Sequence, residues 1–292
     1  MGDRGMVMEF ILANELILRF GGFVGVLGAM ILWELSAPRR RLSASRWQRW
    51  SSNLGIVAID ALMLRLMAPI AAVAAAALAA ERGWGLFNAL SFVPEWLAVL
   101  VAIIVLDLAI YTQHVVFHKA PLLWRLHRVH HTDVDLDVTS GVRFHPIEIA
   151  LSLMIKIAVI VALGAPAVAV IAFEVLLNAA ALFNHGNVRI PPRVDRVLRR
   201  VIVTPDMHRV HHSIHRDETD SNFGFCLALW DRLFGTYRDQ PRDGHAGMTI
   251  GLAAFRSSRQ RWLPRLLVQP FVREDADDSP TIASVSASGA TR

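Results

Sequence analysis

The chain writes one phrase twice: residues 126–132 are Leu-His-Arg-Val-His-His-Thr and residues 207–213 are Met-His-Arg-Val-His-His-Ser. Each is a His-x-x-His-His box, giving His127, His130 and His131, then His208, His211 and His212, and a third box, His114-x-x-x-His118, stands just before the first copy. Eight of the twelve histidines fall into these boxes. On a helix, residues three or four apart share a face, so each box projects its imidazoles together. Neutral imidazole is a good ligand for iron, zinc, copper or nickel. One such pair is commonplace, but eight imidazoles exceed the needs of one ion and suit two. The fold must therefore bring distant segments to one place.

What does so is a membrane scaffold. Hydrophobic residues make up 54% of the 292 and charged ones only 19%, and the mean hydropathy is +0.40. Several apolar runs reach the ~20 residues that cross a bilayer as helix. Residues 9–36 form the first and stay as a membrane helix, with Glu15 and Arg19 toward one end. Residues 54–80 form the second, interrupted by Asp60 and Arg65, which pair, face the bundle interior or lie near the interface. Residues 95–113 form the third and run directly into His114. Residues 147–163 and 167–183, separated by Gly164-Ala165-Pro166, read as a helical hairpin that returns to the side it left. The arginines gather in the loops 39–49 and 189–200 beside the boxes, as the positive-inside rule requires of a cytoplasmic face. Charge bias and histidine placement thus deliver every box to one side of the membrane. The net charge of +5 reflects this topology; there is no aromatic-interleaved basic patch, and no nucleic-acid partner is expected.

The fold expected is all-α: a polytopic membrane protein of about four to five transmembrane helices with a cytosolic helical histidine-rich cap. Residues 1–94 are the N-terminal membrane helices, 95–240 the domain that holds the boxes and the hairpin 147–183, and 241–292 a C-terminal extension, disordered from about 274 where the sequence turns small, polar and acidic.

Cys226 is the only cysteine, which excludes a disulfide within the chain and cysteine-held zinc or iron–sulfur sites. Of the other histidines, His215 and His245 are expected to be solvated or satisfied side chains. His145, in Arg-Phe-His-Pro-Ile-Glu where the chain re-enters the membrane, and His185, in Asn-His-Gly-Asn where it leaves, lie at the depth where the boxes converge and are candidate ligands. Glu148 and Asp231 are candidates to orient ligating imidazoles, as is Asn187. Asp206, just before the third box, is a candidate helix cap. A pH-sensing cluster does not call for fixed repeated spacing, and a metal transporter places its ligands near mid-bilayer rather than at helix ends.

The three boxes and their flanks resemble the fatty acid hydroxylase/sterol desaturase superfamily of membrane di-iron enzymes. The flanks are Asp107-x₃-Tyr111, Leu123-Trp124-x-x-His127, Arg143-x-His145-Pro146-x-Glu148, His185-Gly-Asn187-Val188, Thr204-Pro205-x-x-His208, Asn222-Phe223-Gly224 and Trp230-Asp-Arg-Leu-Phe-Gly-Thr-Tyr237. The likeness covers roughly residues 100–240. It departs from the family's pattern at Thr112, Val115 and Phe223, none of them a proposed ligand. The resemblance implies that His114, His118, His127, His130, His131, His208, His211 and His212, with His145 and His185 as the remaining pair, hold two iron ions (zinc in a purified preparation being an alternative). It also implies that O2 serves as co-substrate in oxidising a C–H bond of a lipid, fatty acyl, sterol-like or related. Hydroxylation is the expected outcome and desaturation the alternative; a metal-binding membrane protein or transporter without oxidase activity is the alternative of another class. No flavin, dinucleotide or haem-attachment motif stands in the sequence, so electrons are expected from a separate ferredoxin, cytochrome or reductase. The Ala- and Arg-rich composition points to a bacterial inner membrane.

Overall fold

The computed structural model describes residues 10–11, 13–67, 71–90 and 92–274. Its elements are helices, among them α1 Glu15–Ser36, α2 Arg46–Leu66, α3 Ala72–Arg82, α4 Glu95–Lys119, α5 Pro121–His131, α6 Pro146–Leu163, α7 Ala167–Asn184, α8 Pro205–His211 and α9 Leu263–Val268, joined by loops and other short helical segments. Among the described residues the only β pairings are isolated bridges such as Pro38 with Val188.

Among the described residues, four helices are long and apolar enough to cross a membrane: α1, α4, α6 and α7. The expected second crossing differs. Its apolar run 54–80 is divided between α2, which starts upstream at Arg46, and the 11-residue α3. The sequence between them contains Pro69, which cannot supply the N–H that an unbroken helix needs. α2 also carries Arg49, Ser52, Asn53 and Asp60 on its buried face, so it serves the polar cap rather than lipid. Asp60 thus faces the interior, one of the three placements open to it. In tandem the two helices still reach the far end of the bundle. There Gly85 touches the hairpin tip so closely that a Cβ on it would lie 2.1 Å from the backbone nitrogen of Gly164. Both glycines have positive φ, 94° and 62°, and Gly164 ends α6 in the left-handed conformation that a tight hairpin requires.

The bundle is held by small residues at its contacts. Ala72 and Ala76 of α3, Ala102 of α4 and Ala169 of α7 are buried with Leu106, Leu153, Ile160 and Phe173 in one cluster. Helices that cannot rely on hydrophobic exclusion within lipid pack by such close approach. Leu16, Ile17, Phe20 and Leu32 of α1 point outward, as lipid-facing residues do. One charge cluster lies within the spans: Glu174 of α7 is 3.3 Å from Lys156 of α6 and 3.1 Å from Arg19 of α1. The first two escape notice in sequence because each is a single charge in an apolar run.

Contacts fix the directions. Arg19 and Gly22 of α1 lie against Glu174 and Val175, while Pro38, just past its end, pairs with Val188. α1 and α7 therefore run together toward the histidines. α4 ends in His114 and His118, and α6 starts beside Glu148, so all four spans present one end to the same cap. The tail expected to be disordered falls on residues 275–292, outside the described residues. Residues 263–271 of the C-terminal extension are ordered against the cap, where the buried Leu266 packs with Ile56 and Val129.

A candidate dinuclear metal centre

Nine buried imidazoles converge in two groups. His114, His118, His127, His131 and His211 form one; His130, His185, His208 and His212 form the other. Within each group one ring nitrogen from every residue lies within 4.8 Å of the rest. The boxes are interleaved. α5 sends His127 and His131, one turn apart, to the first group and His130 to the second. α8 and its C-cap do the reverse, sending His208 and His212 to the second and His211 to the first. α4 completes the first group with its own one-turn pair, and His185, where α7 ends, completes the second.

The remaining letters of the repeated phrase serve the helix faces turned away from the groups. Val129 and Val210 are fully buried. Arg128 donates 2.6 Å bonds to the carbonyls of Gln269 and Val272 and lies over the Phe255 ring. Arg209 pairs with Asp206 and donates to the Gly186 carbonyl.

The second ring nitrogen of most of these histidines is held. Nδ1 of His114 meets the Phe223 carbonyl at 2.8 Å, Nδ1 of His185 the Ala181 carbonyl at 2.8 Å, and Nδ1 of His211 the Ser221 carbonyl at 2.7 Å. Nδ1 of His127 meets the Glu148 carboxylate at 2.6 Å and Nδ1 of His118 that of Asp220 at 3.2 Å. Carbonyl and carboxylate oxygens accept, so the proton is assigned to Nδ1 and Nε2 keeps its lone pair. Yet Nε2 atoms face one another: His114 and His127 at 3.1 Å, His118 and His131 at 3.1 Å, His130 and His185 at 3.0 Å, His185 and His208 at 3.1 Å. In the His114–His127 pair both Nδ1 atoms are held, so two Nε2 lone pairs oppose each other, and these repel unless a cation lies between them. Two nitrogens each ~2.1 Å from one ion and at right angles are ~3.0 Å apart, the spacing found here. His211 Nε2 and both ring nitrogens of His212 are buried without a hydrogen-bond partner. Donor type, spacing and orphaned nitrogens all fit metal ions.

Burial makes the cap imidazoles resist protonation. It pushes His127 down to about 3 and His185 to about 4. His130, His131, His208, His211 and His212 also fall well below the usual range, through burial first and then through repulsion by neighbouring imidazoles. Metals take the deprotonated ligand, so the site is poised for them. Aromatic rings wall it: Phe144 stacks on His130 at 4.3 Å, and Phe223 sets its edge against His114, His118 and His211.

A buried polar lattice fixes α5. Arg49 is fully buried and reaches Asp133 at 2.7 and 2.9 Å and Asp137 at 2.5 Å. Burial opposes the ionised form of Asp133, but the Arg49 and Arg143 guanidinium groups hold it below the usual carboxylate range. Arg143 in turn donates to the Val129 carbonyl and the Thr132 hydroxyl, both at 2.9 Å.

Several sequence candidates land elsewhere. His145 joins neither group. It is the N-cap of α6, its Nδ1 accepting from the Ile147 N–H at 3.2 Å while Nε2 donates to the Leu267 carbonyl at 3.1 Å. The following Pro146, at the first helical position, was the signal for that role. Glu148 does reach an imidazole, that of His127. Asp231 acts one step removed, accepting from the N–H groups of Phe223 and Gly224 at 2.7 and 2.8 Å and so placing the carbonyl that holds His114. Asn187 touches no imidazole; it exchanges hydrogen bonds with the Arg40 backbone at 3.0 and 2.9 Å. The cap of α8 is Thr204, and Asp206 instead binds Arg39 and Arg209. His245 is buried rather than solvated, and His215 is 2.8 Å from Asp243. Asp220 and Arg49 went unseen in sequence: one is paired with a histidine 102 residues away, the other belonged to a stretch that topology already explained.

Residues 99–236 match the family model described as fatty acid hydroxylase. The ornithine lipid hydroxylase OlsE of Rhizobium tropici is 30% identical over 159 residues, 54% of this chain and 46% of that protein. The alkylglycerol monooxygenases of Xenopus tropicalis and Homo sapiens are 27% and 23% identical over 154 residues, in each case 51% of this chain and 32% of the relative. The chain thus spans less than half the length of each of these relatives. No solved structure matches.

Proposed function

We propose, on the premise that residues 99–236 are a segment of the fatty acid hydroxylase family, that the chain is a membrane-bound di-iron oxygenase that hydroxylates a C–H bond of a lipid. The observation that carries this is the sorting of nine buried imidazoles into two groups with metal-like spacing. His114, His118, His127, His131 and His211 would hold one iron, and His130, His185, His208 and His212 the other. Bound iron would supply the reduction of O2 and the attack on an unactivated carbon. The chain's own part is to bind and to exclude. Glu148, Asp220 and the three carbonyls keep the ring protons on Nδ1, and Phe144, Phe223 and the apolar ends of α4, α6 and α7 keep water from the centre. A lipid reaches the site from the bilayer that surrounds those helices. Hydroxylation is preferred to desaturation because the relatives are named hydroxylase and monooxygenase. Electrons come from a separate ferredoxin, cytochrome or reductase, and the histidine face is cytoplasmic in a bacterial inner membrane.

The test is aerobic expression of the full chain in a host with a suitable reductase. Two irons per chain and new hydroxylated lipids are expected, with both lost in a His130→Ala, His211→Ala double variant. Unchanged lipids together with stoichiometric zinc would overturn the proposal.

A further inference from the structure

Beside the metal centre lies a cleft of about 580 Å³ whose lining is almost wholly arginine: Arg39, Arg40, Arg41, Arg46 and Arg189, with Pro38 and Leu42. Among the described residues, only Arg39 of the five has an ion-pair partner, Asp206 at 3.0 Å, and no acid belongs to the lining. Arg40 spends one guanidinium nitrogen on the Met248 carbonyl at 2.7 Å; its other, Nη1, is buried with no acceptor, as is Nε of Arg46. The side chains of Arg41 and Arg189 are exposed and have no ion-pair partner among the described residues. Five guanidinium groups around one cleft repel each other, and buried N–H groups without acceptors are costly. Both costs are relieved by a ligand with several anionic oxygens, the geometry that arginine forks match best.

The cleft's depth selects the source of that ligand. It opens two residues after α1 ends at Ser36, and Pro38 is bridged to Val188 just past the end of α7 at Asn184. That is the level of lipid headgroups on the histidine side. We propose that this arginine cleft is a binding site for the phosphate of an anionic phospholipid headgroup, whose acyl chains would lie along the outer faces of α1 and α7. A generic positive loop would attract the same surface without a cleft or buried orphan donors, so the two are separable. The proposal does not depend on the oxygenase function.

The test uses the full chain in detergent, with phosphatidylglycerol and phosphatidylcholine titrated in and bound lipid counted by native mass spectrometry. Phosphatidylglycerol should bind selectively. Arg41→Gln with Arg189→Gln should weaken it about thirtyfold, at about fivefold per arginine near an anionic lipid. The equally exposed pair Arg193→Gln with Arg200→Gln, outside the cleft, should leave it unchanged. Both cleft arginines are exposed, and thermal unfolding in phosphatidylcholine checks that the variant still folds. Equal loss in both pairs, or equal binding of the two lipids, would sink the proposal. So would full displacement by millimolar inorganic phosphate, which would make the ligand free phosphate instead of a lipid.

Discussion

At the scale of single residues, the centre depends on which nitrogen carries the proton. Glu148 holds Nδ1 of His127 at 2.6 Å. Glu148→Leu should therefore weaken metal retention about 10–100-fold in a chelator competition, whereas Glu148→Gln, which keeps an accepting oxygen, should retain most of it. Acid acts on the same groups. An unfolded histidine titrates near 6.5, while burial holds His127 near 3 and His185 near 4. Between those values the unfolded chain binds the extra protons, so stability is complete above about pH 6.5 and falls as the pH drops. From pH 6.5 to 5 each of the two should cost about 2 kcal/mol, read as a falling unfolding temperature of the metal-free protein. The histidine boxes were legible in sequence from their repeated spacing, but that spacing does not show how each box divides between the two groups. Their partners were not legible, since Asp220, the Phe223 carbonyl and Arg49 reach the histidine region across long loops. His145 misled because depth in the membrane was weighed above its position before a proline at a helix start.

At the scale of elements, a box is not half a site. Each His-x-x-His-His helix divides its imidazoles between both groups, so the two groups share α5 and α8 and differ in α4 and His185. Gly141 shows how such a difference can be probed. A Cβ there would lie 2.2 Å from the Ala181 carbonyl and 3.2 Å from Nδ1 of His185. Gly141→Ala should displace His185 first, and metal analysis should find the content falling from about two ions per chain toward one. The hairpin was legible because Gly164-Ala165-Pro166 punctuates two apolar runs. The split of the second run was not, because hydropathy averages over a proline and over the polar face that α2 turns to the cap.

At the scale of the whole molecule, one-sidedness was legible from arginine bias and box placement together, while the role of the C-terminal extension was not. Nothing in its composition says that Leu266 packs under Val129, or that Gln269 meets the Thr132 hydroxyl at 3.0 Å. A chain ending after Gly247 should lose metal and unfold at lower temperature than the full chain, measured in the same detergent. The ion cluster of Arg19, Lys156 and Glu174 has a consequence for biogenesis. A helix inserted alone with Lys156 or Glu174 would strand a charge in hydrocarbon at several kcal/mol. The hairpin should therefore insert as a joined pair with Arg19 of the first helix as its partner. Glu174→Leu should reduce the membrane-integrated fraction after carbonate extraction, and adding Lys156→Leu and Arg19→Leu should restore it. Three charged side chains remote from the histidine groups thus tie the assembly of the first span to that of the hairpin.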